Sequence, residues 1–310
     1  MKNKTIKTNT IKHYQSSFTL IELLVVIAII GIISGIIIIN LNGITDKANF
    51  AKSQVFSTSL RDALLMNLVS EWNFDDLTTA KEGAVIKDFW GTNNGTLYTG
   101  SDGLEKLSAD CVTGKCLSFD GVNDYVDCGD TGVNSSITVE AWIKTIQNSG
   151  NWSAVIKAKT AAPWEGFVLR NLTNNDPKRV RFSIWGNSSG NDATHIAIIN
   201  DGHWHHIVGT YNSSIIKIYV DSIKGTDASY STNPSNNQHL LIGTSVAGWT
   251  GGFFSGFIDG VRVYNTAIPT AMVKEHYVAG LQSLLNNKAI TYQEYTDRLA
   301  ELNTYCAFNQ

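Results

Sequence analysis

The sequence predicts a mainly β protein made of a long N-terminal α-helix, a two-sheet β-sandwich and a short C-terminal helical hairpin. Three observations predict this arrangement. An apolar run occupies residues 18–39. Short segments of alternating apolar and polar residues, separated by Gly, Asn, Asp and Ser, begin at Trp72. Helical spacing of apolar residues returns only at Thr270.

Composition limits the class of protein before any motif is considered. A chain of 310 residues that is 43% hydrophobic and 10% aromatic can bury a sizeable core. The net charge is −3 and only 16% of the residues are charged, so a basic surface that follows phosphates is not expected. Nucleic acid is therefore not an expected partner, and the abundant Gly, Asn, Ser and Thr are typical of an exported β-rich protein.

The apolar run at residues 18–39 predicts a membrane-spanning helix. Four lysines precede it, and Glu22 is the one ionisable residue inside it. About 22 residues at ~1.5 Å each span ~33 Å, enough for a hydrocarbon core of ~30 Å. The lysines should stay in the cytoplasm. We expect a single-pass cytoplasmic membrane protein with an extracytoplasmic head.

The segment SSFTLIELLVVIAIIG at 16–31 closely resembles the processing site and first helix of type IV pilins and pseudopilins. The resemblance implies that a prepilin peptidase cuts between Ser17 and Phe18 and that the new amino group is methylated. It also implies that Glu22 meets the terminal amine of a neighbouring subunit. An unpaired charge in hydrocarbon costs ~2.5–3.5 kcal/mol or more, so Glu22 needs a partner. The alternative places Glu22 near the interface of an ordinary single-span anchor.

Two departures from that family leave the efficiency of cleavage and the fibre geometry open. Family members usually carry Gly where this chain has Ser17, and many have a helix-kinking Pro near the end of the span. Apolar positions continue at helical spacing beyond the span without Pro, which predicts one helix over 18–68. Pilins use such a helix as a polymerisation spine, and a simple stalk is the alternative. The expected domains are a leader at 1–17, this helix, a sandwich at 69–268 and a two-helix tail at 269–310.

Three segments carry the alternation that marks strands with one buried face, namely 136–144, 179–185 and 215–221. They predict two packed sheets. Short phrases then occur in order along the chain: WNFD (72–75), DFWGTNNGTL (88–97), GKCLSFDG (114–121), DYV (124–126), WHHIVGTY (204–211) and GFIDGVRVYN (256–265).

These phrases together resemble a laminin G-like domain of the concanavalin A-like lectin and glucanase superfamily. The resemblance implies a two-sheet jelly roll whose first and last strands lie side by side. It implies no ligand, because the fold hosts lectins, glucanases, adhesive modules and spacers. After the sandwich, 270–281 and 291–302 predict two short helices that resemble the two-helix C-terminal domains of many bacterial proteins. They could pack on each other, on the sandwich or on a neighbour.

Catalysis is not expected. Glucanases of this fold need paired carboxylates ~5–5.5 Å apart in retaining enzymes, and their Glu-x-Asp-x-Glu phrase is absent here. Asp75 lies near Glu71 but belongs to the laminin G-like phrase, and Glu140 has no carboxylate two residues on. A histidine cluster at 203–206 could suggest zinc, but neighbouring strand residues point to opposite faces, so structural histidines are expected.

Three tryptophans in polar loops are candidate glycan contacts: Trp152, Trp164 and Trp249. An exposed ring beside amide groups is typical of sugar recognition. The alternative is that these rings fold back over the rim of the sandwich.

The four cysteines permit one or two disulfides after export. Cys111 and Cys116 are separated by a turn-forming Thr-Gly pair, which predicts a disulfide between them. Cys128 and Cys306 could pair with each other or remain free.

A structural calcium ion is expected to join the two ends of the sandwich, with Asp75, Asp88 and Asp259 as ligands. Asp259 shares a strand face with apolar residues, so its carboxylate should point inward, where an unpaired charge is unfavourable. Calcium accepts six to eight oxygen ligands at ~2.3–2.6 Å. The alternative is that backbone N–H groups satisfy Asp259 and that Asp75 caps its strand.

The sequence thus predicts a pilin or pseudopilin subunit, or a minor pilin, that displays a laminin G-like adhesive or carbohydrate-binding head. Its expected partners are prepilin peptidase, other pilin-like subunits that contact its N-terminal helix, the membrane and a glycan or cell-surface ligand. The alternative is a single-span surface protein that never polymerises, and a glucanase-like glycoside hydrolase is the less favoured third function.

Overall fold

The computed structural model describes residues 67–100, 105–132, 135–148, 150–158, 165–172, 179–186, 189–234, 237–244 and 252–308. These residues belong to the compact unit Asp62–Gln310. The expected leader, the membrane helix and the processing and assembly residues Ser17, Phe18 and Glu22 lie outside the described residues. Within the described ranges, no helix combines the length and the apolar character that crossing a membrane requires.

The described chain is mainly β, with two α-helices at its C-terminal end. Its elements are β1 (Leu68–Trp72), β2 (Val85–Ile86), β3 (Gly95–Tyr98), β4 (Leu107–Ser108), β5 (Cys116–Asp120), β6 (Tyr125–Asp127), β7 (Ile137–Lys144), β8 (Asn151–Ala158), β9 (Gly166–Leu172), β10 (Arg179–Gly186), β11 (Ser189–Ile196), β12 (Trp204–Tyr211), β13 (Ile215–Val220), β14 (Ile223–Lys224), β15 (Ala228–Ser229), β16 (Leu241–Ile242), β17 (Ser255–Tyr264), α1 (Thr270–Asn286) and α2 (Tyr292–Phe308).

The strands form two antiparallel sheets. The first sheet has the order β14-β13-β12-β7-β17-β5-β4, with β1 added on β17 and β15 on β13. The second has the order β11-β10-β9-β8-β16-β6-β3-β2. Three of the four strands that end these paths, β14, β4 and β2, are two residues long. The two-sheet sandwich expected from the sequence is confirmed.

The alternating segments identified in the sequence form β7, β10 and β13. Their inward residues, such as Val139, Phe182 and Ile218, are fully buried in a core shared by both sheets. A fully buried side chain of this size contributes ~1.5–3 kcal/mol. The first and last strands pair as expected, because Leu68 lies opposite Tyr264 and β1 runs antiparallel to β17.

The two C-terminal helices pack on the outer face of the first sheet. The indole of Trp142 on β7 stacks on Tyr277 of α1, with 5.8 Å between ring centroids. Gly280 permits this approach, since a Cβ there would overlap the Trp142 indole. Leu281 and Leu284 are buried in the same cluster. Of the three packing modes left open by the sequence, two are observed, because the helices pack on the sandwich and also on each other, where Leu302 of α2 joins Leu281 and Leu284.

Helix α1 continues five residues beyond the end expected at position 281. Leu284 belongs to the buried apolar face, so the amphipathic pattern extends through another turn. The helix ends at Asn286 and is capped by Asn287, whose backbone N–H donates to the carbonyl of Ser283 at 2.9 Å.

Candidate functional site

The disulfide predicted between Cys111 and Cys116 is present, with 5.5 Å between the Cα atoms. It closes a short loop over the end of the first sheet. The backbone N–H groups of Val112 and Thr113 donate to Oδ2 of Asp259 at 2.9 and 3.0 Å. The disulfide loop therefore holds the fully buried carboxyl group that projects from β17.

Asp259 is electrostatically unusual. Burial raises its pKa to about 7, while the Thr113 N–H opposes the rise and the charge of Asp75 adds to it. Oδ1 of Asp259 is buried, and among the residues that the structure describes none forms a hydrogen bond with it. Asp75 contacts the same loop, where its Oδ1 accepts the backbone N–H of Lys115 at 2.8 Å. Two carboxyl groups thus accept backbone N–H groups of the same disulfide loop, and the pKa of Asp259 lies near neutral pH.

Asp88 lies in a different segment, the loop after β2. Its Oδ1 accepts backbone N–H groups of Glu71, Trp90 and Gly91, and its Oδ2 accepts that of Asn93, at distances that span 2.8–3.1 Å. These four donors fill its acceptor positions and tie the loop after β2 to β1. Within the described ranges, no three His, Cys, Asp or Glu side chains are grouped to hold a metal ion.

Glu140 is the centre of a buried ionic cluster between the first sheet and α1. It is completely buried on β7 and accepts hydrogen bonds from Arg262 at 3.1 Å and from His276 of α1 at 2.9 Å. Burial alone would raise the pKa of Glu140, but His276, His206 and Arg262 hold it well below its ordinary value. Arg262 also donates to Glu71 at 2.7 Å. The cluster fixes α1 to the sheet.

The histidines of β12 are also ion-paired. The two ring nitrogens of His205 lie 2.7 Å from Asp221 and 3.1 Å from Asp201. Burial opposes a charge on His205, but these carboxylates raise its pKa to about 9. His203 lies 3.5 Å from Glu294 on α2. His205 thus has partners in the segments next to β12 and β13, and His203 has one on α2.

The candidate glycan contact Trp152 requires a correction. It lies within β8 rather than in a loop, is 1% exposed, and packs edge to face on Phe254 with 5.0 Å between centroids. Its ring belongs to the core shared by both sheets. Trp164 and Trp249 lie outside the described residues.

An exposed aromatic feature that sequence reasoning missed lies on the second sheet. Tyr98 of β3 and Tyr125 of β6 are directly opposite each other, with ring centroids 4.8 Å apart and planes at 12°. We call these two residues the tyrosine pair. Tyr98 is 36% exposed. The signal in the sequence is that Tyr98 follows Leu97 and Tyr125 precedes Val126. Because Leu97 and Val126 face the core and side chains alternate along a strand, both tyrosines face outward.

Charged groups border the tyrosine pair. Burial raises the pKa of Tyr125, and Tyr98, Asp127 and Glu82 each add to the rise. Glu82 is anchored by Thr99, whose backbone N–H donates to its Oε2 at 2.5 Å. Asp127 faces His239, whose Nδ1 lies 2.8 Å from Oδ1. An aromatic surface with two neighbouring carboxylates is suited to binding a polar ligand that also has apolar faces.

Comparison with known proteins gives two family matches and one curated relative. Residues 120–274 match the concanavalin A-like lectin/glucanases superfamily, and residues 12–38 match the prokaryotic N-terminal methylation motif. A protein of Chlamydia muridarum (strain MoPn / Nigg), named "Putative outer membrane protein", is 33% identical over 93 residues, which are 26% of this chain and 75% of that protein.

Solved structures share the fold. Domain 4 of AbnA, an extracellular arabinanase from Geobacillus stearothermophilus in complex with arabinotriose, has a TM-score of 0.54 at 20% identity, covering 67% of this chain and 97% of that one. The binding domain of Paraclostridial Mosquitocidal Protein 1 has a TM-score of 0.54 at 15% identity, covering 70% and 53%.

At these identities the solved structures show the fold alone, whereas the first family match covers half of the chain. The second family match confirms the pilin-like resemblance of the N-terminal segment. The chain belongs to the concanavalin A-like lectin/glucanases superfamily and carries a prokaryotic N-terminal methylation motif ahead of that domain.

Proposed function

We propose that this chain is a type IV pilin-like subunit, a pseudopilin or minor pilin, that displays its sandwich as an adhesive, carbohydrate-binding head. The observation that carries the proposal is the methylation motif at 12–38 in the same chain as the superfamily domain at 120–274. The motif supports processing by a prepilin peptidase and assembly with other pilin-like subunits through the N-terminal helix. Together with the outer membrane relative, it supports a location in the envelope or at the surface.

The head binds rather than hydrolyses in this proposal. Glu71 and Glu140, two of the carboxylates considered for catalysis, are both ion-paired with Arg262. Glu140 is also completely buried, so it does not face a substrate in solution. A retaining glycosidase needs two carboxyl groups that flank the scissile bond. Occupied carboxylates support a role in which the sandwich acts as a binding module.

Assembly is tested at the mature N-terminus and at Glu22. Mass spectrometry of surface-sheared material should show a chain that begins at methylated Phe18, and Ser17→Gly should increase the processed fraction. Glu22→Ala should block incorporation into a fibre while the head keeps its unfolding transition, because a neighbour's amine then has no carboxylate partner. An intact Met1 terminus in sheared material would exclude processing and would favour the non-polymerising single-span alternative, which Ser17 leaves open.

We also propose that the carboxyl pair beneath the disulfide loop holds the structural calcium ion. Asp259 offers an unpaired buried oxygen, and Asp75 lies close enough for its charge to act on it. Asp88 is left out, since four N–H groups occupy it. Bound calcium should raise the melting temperature of the full chain in detergent with increasing free ion. Melting that ignores both millimolar calcium and chelator would exclude the site.

A further inference from the structure

We propose that the tyrosine pair, Tyr98 and Tyr125, is the contact surface of the head for neutral pyranose glycans. The inference rests on the proposed function, since it names the site and the ligand class for a carbohydrate-binding head. The site is distinct from the tryptophan loops considered in the sequence and from the disulfide loop.

The register of three strands places the tyrosine pair on the outer face of the second sheet. Tyr98 lies opposite Tyr125, and Thr96 lies opposite both Val85 and Asp127. The intervening residues of β3 and β6 are buried in the core. Because side chains alternate along a strand, the tyrosines, Thr96 and Asp127 share the outward face. This surface lies at the β2 end of the sheet.

Space is available beside Tyr98. Gly83 lies next to β3, where its backbone N–H donates to the carbonyl of Leu97 at 2.8 Å. A Cβ added at Gly83 would meet no heavy atom within 4 Å, and its φ of +78° favours glycine. The position that is hydrogen-bonded to Leu97, the residue before Tyr98, therefore opens onto free space. Val85, 62% exposed, adds an apolar group on the same side.

The chemistry of the surface matches a sugar ring. A pyranose has an apolar face of C–H groups and a rim of hydroxyl groups. Tyrosine offers the complementary combination, an apolar ring with a polar tip. Carboxylates such as Glu82 and Asp127 accept hydrogen bonds from hydroxyl groups, and their hydrogen bonds are stronger than those of neutral acceptors. A purely apolar partner would instead leave these carboxylates facing apolar groups.

The negative charge beside the tyrosine pair favours neutral glycans over anionic ones. Glu82 and Asp127 both act on Tyr125 as negative neighbours, and the ring of His239 contacts Asp127. A sialylated or sulfated glycan would bring a further negative charge to this border, and like charges brought together are unfavourable. Neutral glycans are therefore the favoured class.

The test measures the affinity of the chain for neutral and anionic saccharides, and compares the wild-type chain with variants of Tyr98. Full chain in detergent is titrated with lactose, cellohexaose and mannohexaose, and with sialyllactose as the anionic counterpart of lactose. We expect at least one neutral saccharide to bind, and sialyllactose to bind more weakly than lactose. Tyr98→Ala should weaken neutral binding by roughly tenfold, which is the loss expected for an aromatic contact. Tyr98→Phe should retain more of the affinity, since it keeps the ring.

Tyr292→Ala is the control, because Tyr292 is 70% exposed and lies on α2. It should leave binding unchanged. Thermal unfolding of each variant separates binding from folding, and Tyr98→Phe remains informative where the alanine variant unfolds. Glu82→Gln should reduce the difference between the affinities for lactose and for sialyllactose.

The outcomes separate this inference from the broader proposal. If wild-type and Tyr98→Ala chains bind a neutral saccharide equally well, the tyrosine pair is only a stabilising cross-strand contact and the head binds sugar elsewhere. Tighter binding of sialyllactose than of lactose would overturn the ligand class. If none of these saccharides binds the wild-type chain, both the inference and the carbohydrate-binding head are rejected, while pilin-like processing is judged by its own N-terminal measurement.

Discussion

Asp259→Asn should remove a pH-dependent part of the stability of the head. The carboxyl group has a pKa of about 7 in the folded chain, against 3.8 for the ordinary value. A raised pKa means that the folded state binds the proton more tightly than the unfolded state. The corresponding stability is fully present below about pH 4 and is lost as the pH rises through about 7. Asparagine keeps an oxygen for the N–H groups of Val112 and Thr113 but does not titrate.

The magnitude follows from the two pKa values. The full difference corresponds to roughly 4 kcal/mol, of which roughly 2.5 kcal/mol falls between about pH 5 and about pH 8. The free energy of unfolding should be measured with denaturant, in chelator, for the wild-type and variant chains over this range. The difference between the two chains isolates Asp259 from the other titrating groups, such as His205, whose pKa is raised to about 9.

A constant difference between the two chains across this pH range would refute the reasoning. It would mean that Asp259 makes the same contribution to the free energy of unfolding at every pH in this range. Saturating calcium supplies a second check. An ion bound at Asp259 favours the ionised carboxylate, so it should reduce the pH dependence of the wild-type chain and leave that of Asp259→Asn unchanged.

Three further predictions concern the packing of the head. Glu140→Ala should lower the free energy of unfolding by about 3–5 kcal/mol in denaturant titrations, because it removes the buried carboxylate that Arg262, His206 and His276 share; a loss below about 1 kcal/mol would contradict this. Gly280→Val should displace the C-terminal helices from Trp142 and speed trypsin cleavage within 270–308, whereas the exposed Ala279→Val in the same helix should not. Replacing both Cys111 and Cys116 by serine should lower the free energy of unfolding by about 2 kcal/mol. Reductant should lower the free energy of unfolding of the wild-type chain by the same amount, and a smaller effect of reductant would argue against the disulfide.

Local periodicity was sufficient to predict three of the strands, β7, β10 and β13. In β7, β10 and β13 the apolar side chains alternate with period two, because each strand has one face in the core. The pairing of β1 with β17 came from the family resemblance rather than from periodicity, since these strands are far apart in sequence. The disulfide was predictable because Cys111 and Cys116 are close in the chain.

Tertiary contacts explain what sequence reasoning missed. Trp152 was assigned to a loop because polar residues flank it, yet its ring is held in the core by Phe254, which is distant in sequence. The tyrosine pair depends on the register of β3 against β6, which no local pattern specifies. The ion pairs of Glu140 join β7, β17 and α1, so a search for neighbouring carboxylates on one strand could not find them.

The short terminal strands of both sheets affect how copies of the head can meet. An exposed strand edge offers unpaired N–H and C=O groups on which another chain can add a strand. Here β14, β4 and β2 offer only two residues each. The longer β11 is partly occupied by the bridge between Thr194 and Thr226. The five-residue β1 is tied to the loop after β2 at Glu71, whose N–H donates to Asp88 and whose carbonyl accepts the N–H of Phe89. Growth of a shared sheet between heads at high local concentration is therefore disfavoured at these edges.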